Sequence, residues 1–217
     1  MKKALLCGTN EHSAGCILGK RLLGLGWEVF LYSRTGKPSD AGRLHIRKAD
    51  TTDGPSLNGL LSSIGEPDLV ICAADSGGVF GEFADLRCAR IKTFLDTKIL
   101  GSVLMLQELI RLHYRSKVIF LCGTKEKEAQ DLLLYGVTNV AIMSLVEAVN
   151  THFTATLQAY YLETPVLQDS PKEQEYREVT GNRLGGLPAG ILMNSIVEIT
   201  RGNVLLGHIP FTEGVVI

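Results

Sequence analysis

Tyr135 opens the stretch YGVTNVAIMSLVEAVN, which reads as an amphipathic helix from Tyr135 to about His152. A free phenol has a pKa of about 10, far above working pH. It becomes a usable acid or base only beside a group that favours the phenolate, and a cation is such a group. One turn after Tyr135 stands Asn139, where that chemistry would want a lysine. The lysine that bears on the question is Lys98, in an earlier helical segment.

A second set of residues has the chemistry of phosphate binding. The strand KALLCG runs into CGTNEHSAG, which puts Gly8, Gly15 and Gly19 at the turn into the first helix. In such a turn, backbone N–H groups and the positive helix end can meet a pyrophosphate. Gly8, Thr9, Ser13, Ala14 and Gly15 are the candidate contacts. The spacing is not GxGxxG, and a plain tight turn reads from the same residues. The next strand, WEVFLYS, ends at YSRTGK. A dinucleotide site that wants NAD(H) places an acid there for the ribose hydroxyls. Here stand Ser33, Arg34 and Lys37. A hydroxyl beside two cations suits a 2′-phosphate and so favours NADP(H) over NAD(H). Solvated surface cations are the plain alternative.

The elements that must position these groups alternate along the chain. Strand-like apolar runs are KALLCG, WEVFLYS, PDLVICAA, KVIFLCG, the weaker TATLQAYYL and a last NVLLGHIPF. Between them lie helical segments, among them AGCILGKRLLGLG, SLNGLLSSIG and AGILMNSIVEITRG. The run from Asp85 to Tyr114 predicts one long, bent helix. Continuous apolar strands separated by helices predict a Rossmann-type α/β fold, a doubly wound parallel sheet covered on both faces. Residues 1–217 form one domain, since no linker-like stretch divides them. Glu163 to Leu187, with two prolines and the run KEQEYRE, reads as a functional flap, a mobile loop or a surface helix.

In this order the pieces resemble the short-chain dehydrogenase/reductase family along nearly the whole chain, although no single motif is intact. The family's glycine turn resembles Gly8 to Gly15. Its adenine-contacting acid after the third strand resembles Asp50 in KADTTD, followed by Thr51. Its Asn-Asn-Ala-Gly resembles an eroded Ile71-Cys72-Ala73-Ala74, which leaves Ala73 and Ala74 as cofactor contacts. Its Asn-x-x-Gly resembles Lys98-Ile99-Leu100-Gly101, and its Tyr-x-x-x-Lys resembles Tyr135 through Asn139. Arg183 to Pro188 resembles its late Arg-Leu-Gly-x-Pro.

The resemblance implies a nicotinamide-dependent oxidoreductase in which Tyr135 is the general acid/base. The family's lysine and asparagine then look exchanged between two helices that pack side by side: Lys98 supplies the cation, and Asn139 holds a relay water. The opposing reading is a protein that kept the fold and lost the chemistry. The substrate-anchoring hydroxyl falls on Thr124, or by the family's usual separation on the thiol of Cys122. Tyr160 and Tyr161 stand where small residues admit the nicotinamide, and Thr164 is placed to meet its carboxamide. As in the family, the helices Thr97–Tyr114 and Tyr135–His152 imply a homodimer or homotetramer. The apolar positions offered for that interface are Leu100, Leu104, Leu106 and Ile110 on one, and Ala141, Leu145, Val146 and Val149 on the other.

Composition narrows the classes. The 217 residues are 45% hydrophobic and 21% charged, with a formal net charge of -1, so no basic field invites nucleic acid. No apolar run reads as long enough to span a bilayer, and the one after Lys3 is too short for a signal peptide. The cysteines at 7, 16, 72, 88 and 122 form no CxxC pair, and the histidines have no metal-ligand spacing. Reduced thiols, no metal and a cytoplasmic location are the expectation.

Overall fold

The computed structural model describes residues 1–74, 76, 79–123, 132–164, 171–181, 188–205 and 207–209, with residues 171 and 208 in backbone only. The strands are β1 (Lys3–Cys7), β2 (Glu28–Ser33), β3 (Ser39–Ala41), β4 (Leu44–Lys48), β5 (Leu69–Cys72), β6 (Ser116–Cys122), β7 (Leu157–Glu163) and β8 (Gly207–Ile209). They form one sheet in the order β3-β4-β2-β1-β5-β6-β7-β8. All pairs are parallel except β3 with β4. The order runs outward from β1 on one side and from β5 on the other. A crevice therefore opens where the connections diverge, at the C-terminal ends of β1 and β5.

The helices are α1 (Ala14–Gly24), α2 (Gly54–Ile64), α3 (Cys88–Leu95), α4 (Gly101–Arg111), α5 (Leu133–His152), α6 (Pro171–Thr180) and α7 (Ala189–Arg201). Alternate strand residues feed two cores, as a period of two requires. Leu6, Leu31, Ile71 and Ile119 pack with α1 and α7, while Leu5, Phe30, Val70, Val118 and Phe120 pack with α2, α4 and α5.

The structure adds to the sequence expectation of about seven strands and a bent helix in two places and corrects it in two more. The sheet has eight strands, because the polar segment LHIRK is a strand with a short antiparallel neighbour. No apolar run announces it. His45 is instead held between the Phe30 ring, at 4.6 Å, and Asp40. The long helix is continuous from Cys88 to Arg111 and bent, as expected, and the structure supplies the cause. Between α3 and α4 the turn Asp96–Leu100 widens, and the Gly101 N–H reaches back to the Asp96 carbonyl. Such a turn adds a residue to the helical register and bends the axis. The apolar faces offered for an interface are partly used at home: Leu106, Val146 and Val149 are buried, whereas Leu100, Val103, Val137 and Val140 are exposed. Lastly, α5 is long and apolar enough to cross a bilayer by length and composition. Here Ile142, Val146 and Val149 on its inner face are core residues against the sheet.

Candidate active site

The glycine turn is built by local rules. Gly8 has φ +114°, and a Cβ there would lie 2.7 Å from the Ser13 Oγ. Ser13 caps α1: its Oγ accepts from the Cys16 N–H at 3.3 Å and donates to the Asn10 carbonyl at 2.6 Å. Ala14 is the first helical residue. At Gly15 a Cβ would stand 1.9 Å from the Cys7 carbonyl oxygen, so only glycine lets α1 start this close to β1. Thr9 and Ser33 join their hydroxyls at 2.8 Å and tie the ends of β1 and β2 together. Arg34 and Lys37 stand exposed just beyond.

Gly36 is a residue that sequence reasoning passed over. A Cβ there would lie 2.9 Å from the Arg47 carbonyl and 3.1 Å from the Ser33 Oγ. The glycine inside SRTGK was the signal for it. Asp50 spends one carboxylate oxygen on its own turn, accepting from the Thr52 N–H at 2.9 Å and the Thr52 hydroxyl at 2.8 Å. Thr51 lies against Gly101, where a Cβ would be 2.9 Å from its Oγ1. The glycine expected three residues after Lys98 thus lets α4 approach this loop. Ala73 and Ala74 follow the end of β5, half-buried. Burial pushes the Cys7 thiol up to about 11 and the Cys72 thiol higher still, which keeps both protonated and unreactive.

Lys98 sits inside the widened turn and is only 6% exposed. The turn swings it inward, and the Ser102 hydroxyl donates to its carbonyl at 2.6 Å. No hydrogen bond or ion pair holds its ammonium among the described residues. The ammonium instead lies 5.6 Å from the centre of the Tyr135 ring. A cavity of about 10 Å³, room for one water molecule, lies beside it against Thr51, Ser102 and Cys122. Asn139 is 1% exposed. Its amide donates to the Gly123 carbonyl at 3.0 Å, and its Oδ1 is buried with no hydrogen-bond partner among the described residues.

Cys122 ends β6 in this corner. Burial raises its thiol, while Lys98, a hydrogen bond with Tyr161 and Lys172 pull it down. Thr124, the alternative anchor, lies outside the described residues. Thr164 is buried at the end of β7, and its N–H donates to the Cys122 carbonyl at 2.8 Å. Tyr160 and Tyr161 do not occupy the place expected of them. Both lie within β7, beside Ile119 and Phe120 of β6, and point into opposite cores. Tyr160 is on the far face from Lys98, and only the Tyr161 hydroxyl meets this corner, at Cys122.

Tyr135 is the third residue of α5, after Leu133 and Leu134, and is 4% exposed. Its ring stacks on Phe80 at 5.1 Å and meets Phe94 edge-on at 4.7 Å. Val79, Leu134 and Tyr176 complete a third small core above the sheet edge. Lys172 lies 3.7 Å from the ring centre. Phe80, Phe94, Lys172 and Tyr176 were not found by sequence reasoning. The helical spacing of Lys172 and Tyr176 within KEQEYRE was the available signal for the last pair.

No protein-family model and no curated protein matches this sequence. Solved structures do match it over nearly its whole length. Sorbitol-6-phosphate 2-dehydrogenase from Erwinia amylovora superposes with a TM-score of 0.81 at 18% identity, covering 99% of each chain. A short-chain glucose/ribitol dehydrogenase from Brucella melitensis gives 0.79 at 14% identity over 95% of this chain and 93% of that one. This chain has the short-chain dehydrogenase/reductase fold. A 3-ketoacyl-(acyl-carrier-protein) reductase from Brucella melitensis, solved with NADH, has the same fold at 17% identity and a TM-score of 0.76, over 95% of this chain and 94% of that one. Within the short-chain dehydrogenase/reductase fold, the described groups are of the kinds that could hold a dinucleotide. The turn at Gly8 has no room for a side chain, cations stand past β2, and a buried ammonium and an orphaned amide oxygen lie at the far end.

Proposed function

We propose that this protein is an NADP(H)-dependent oxidoreductase acting on a small carbonyl or alcohol. Tyr135 is its general acid/base, and Lys98 replaces the lysine missing at Asn139. The carrying observation is the Lys98 ammonium, nearly fully buried and facing the Tyr135 ring from a neighbouring element. A buried ammonium is costly unless it serves a polar partner, and a phenolate and a ribose hydroxyl are such partners. A nicotinamide cofactor is supported by the fold and by the similar reductase solved with NADH. In this reading Gly8, Thr9, Ser13, Ala14 and Gly15 hold the pyrophosphate, Arg34 and Lys37 with Ser33 hold a 2′-phosphate, and Asp50 to Thr51 border the adenine. Bound there, the cofactor supplies or takes a hydride. Tyr135 passes a proton to or from the substrate oxygen, Lys98 favours the phenolate, and Asn139 offers its Oδ1 to a water.

The second reading is a non-catalytic protein of the same fold. It is favoured by the enclosure of the Tyr135 ring among Phe80, Phe94 and Tyr176. Titration of NADPH fluorescence, followed by carbonyl-dependent NADPH oxidation on a broad substrate panel, separates the two. Binding with turnover supports the first, and binding without turnover supports the second.

Two further parts of the proposal are a homodimer or homotetramer and a cytoplasmic location. The first rests on Leu100, Val103, Val137 and Val140, exposed on α4, its approach and α5. A monomeric mass by light scattering at micromolar concentration would remove it. The second rests on five free thiols.

A further inference from the structure

Lys98 is not the cation nearest to Tyr135. Lys172, on α6, has its ammonium 3.7 Å from the ring centre, against 5.6 Å for Lys98. One helical turn on, Tyr176 is buried and meets Phe80 edge-on at 5.3 Å, and Phe80 in turn stacks on Tyr135. Residues four apart share a helix face. Tyr176 therefore keys α6 into the aromatic cluster, and the same face carries Lys172 to the phenol ring. Both ammonium groups lie by the same ring, at 5.6 and 3.7 Å from its centre, so both face the same corner.

We infer that Lys172 is a positioning residue for the acid/base step, a second cation that docking of α6 brings to Tyr135. The inference rests on the reading of Tyr135 as general acid/base. An aromatic ring attracts a cation through its negative face. Removing the phenol proton makes that face more negative, so a cation already seated there is held more strongly and the phenolate is favoured. Among the described residues, the charged and titratable groups placed around the corner are Lys98 from the widened turn, Lys172 and Tyr176 from α6, Cys122 from β6, and Tyr161 and Glu163 from β7. The Glu163 carboxylate opposes the effect of the two ammonium groups on the phenolate. The family's single lysine, absent at Asn139, is in this account replaced by two, one from the widened turn and one from α6. The one on α6 ties the acidity of Tyr135 to the seating of that helix.

The test titrates the phenol directly, in the whole protein labelled with carbon-13 at tyrosine Cζ. Tyr135→Phe assigns the resonance. Lys172→Met should raise the midpoint by about one unit, a tenfold loss of phenolate at fixed pH, while Lys172→Arg should leave it nearly in place. Tyr176→Ala, which loosens α6 and keeps the lysine, should raise it as well. The inference is overturned if Lys172→Met leaves the midpoint unmoved, or if Lys172→Arg moves it as far as Lys172→Met. A wild-type midpoint at or above that of a free phenol, about 10, overturns it too. The titration needs no turnover. Absence of carbonyl-dependent NADPH oxidation would sink the proposed activity and leave this result standing on its own. Where turnover is present, Lys172→Met should lower kcat and shift the basic limb of the pH profile with KM little changed.

Discussion

The two halves of the crevice are made in different ways. From Gly8 to Lys37 the site is backbone held by short hydroxyl side chains: a left-handed glycine, a serine cap, a helix start pressed against a strand end, and two hydroxyls joining neighbouring strands. Around Tyr135 it is side chains, drawn from a widened helical turn, the start of α5, the end of β6 and α6. The first half joins residues that are close along the chain or at the ends of paired strands. In the proposed reading the second has exchanged its parts. A cation can come from another element and still lie within reach of the same ring, since charge acts through space and not along the chain.

The largest expected effect tests the exchanged half. If Tyr135 is the acid/base, Tyr135→Phe should lower kcat by about 10²–10⁴-fold. Lys98→Ala should cost at least as much. Lys98→Met, of similar length without the charge, should raise the apparent pKa of the basic group in the pH–rate profile. Lys98→Asn combined with Asn139→Lys should recover part of what Lys98→Asn loses, because residues in one network are non-additive. Intact turnover in Lys98→Ala would end the exchange idea.

The backbone half should break structurally instead. Gly15→Ala pushes a methyl to 1.9 Å from the Cys7 carbonyl, so α1 must leave β1. A loss of about 3 kcal/mol in urea-unfolding stability is expected. A loss within the error of the measurement would mean that the turn is not rigid.

Cofactor choice comes next. Arg34→Ala should weaken NADPH by about 1–3 kcal/mol by fluorescence titration and leave NADH almost unchanged. Equal losses for both would mean that Arg34 reads no phosphate.

The smallest effect is a control with opposite sign. Gly136 lies in α5 beside Tyr135, and a Cβ there would meet nothing within 4 Å. Gly136→Ala should stabilise the protein by about 0.5–1 kcal/mol, since helical glycine costs that much entropy. Destabilisation would show that the start of α5 is packed more closely than its surroundings indicate.

What the sequence by itself determined is what short-range chemistry determines. The apolar runs marked β1, β2, β5 and β6, and the helical period marked α1, α2 and α7, because period and burial go together. The glycine turn and its serine cap were legible, since both obey rules spanning a few residues. The pairing of Lys98 with Tyr135 was legible only through resemblance to a known family. The tertiary structure alone decided the rest. It brought Phe80, Phe94 and Lys172 onto the Tyr135 ring from three separate segments, with Tyr176 packed against Phe80. It also made LHIRK a strand, because a partner strand satisfied its backbone and an aromatic ring took its histidine. In each of these the deciding contact lies far off in sequence, and no local pattern carries it.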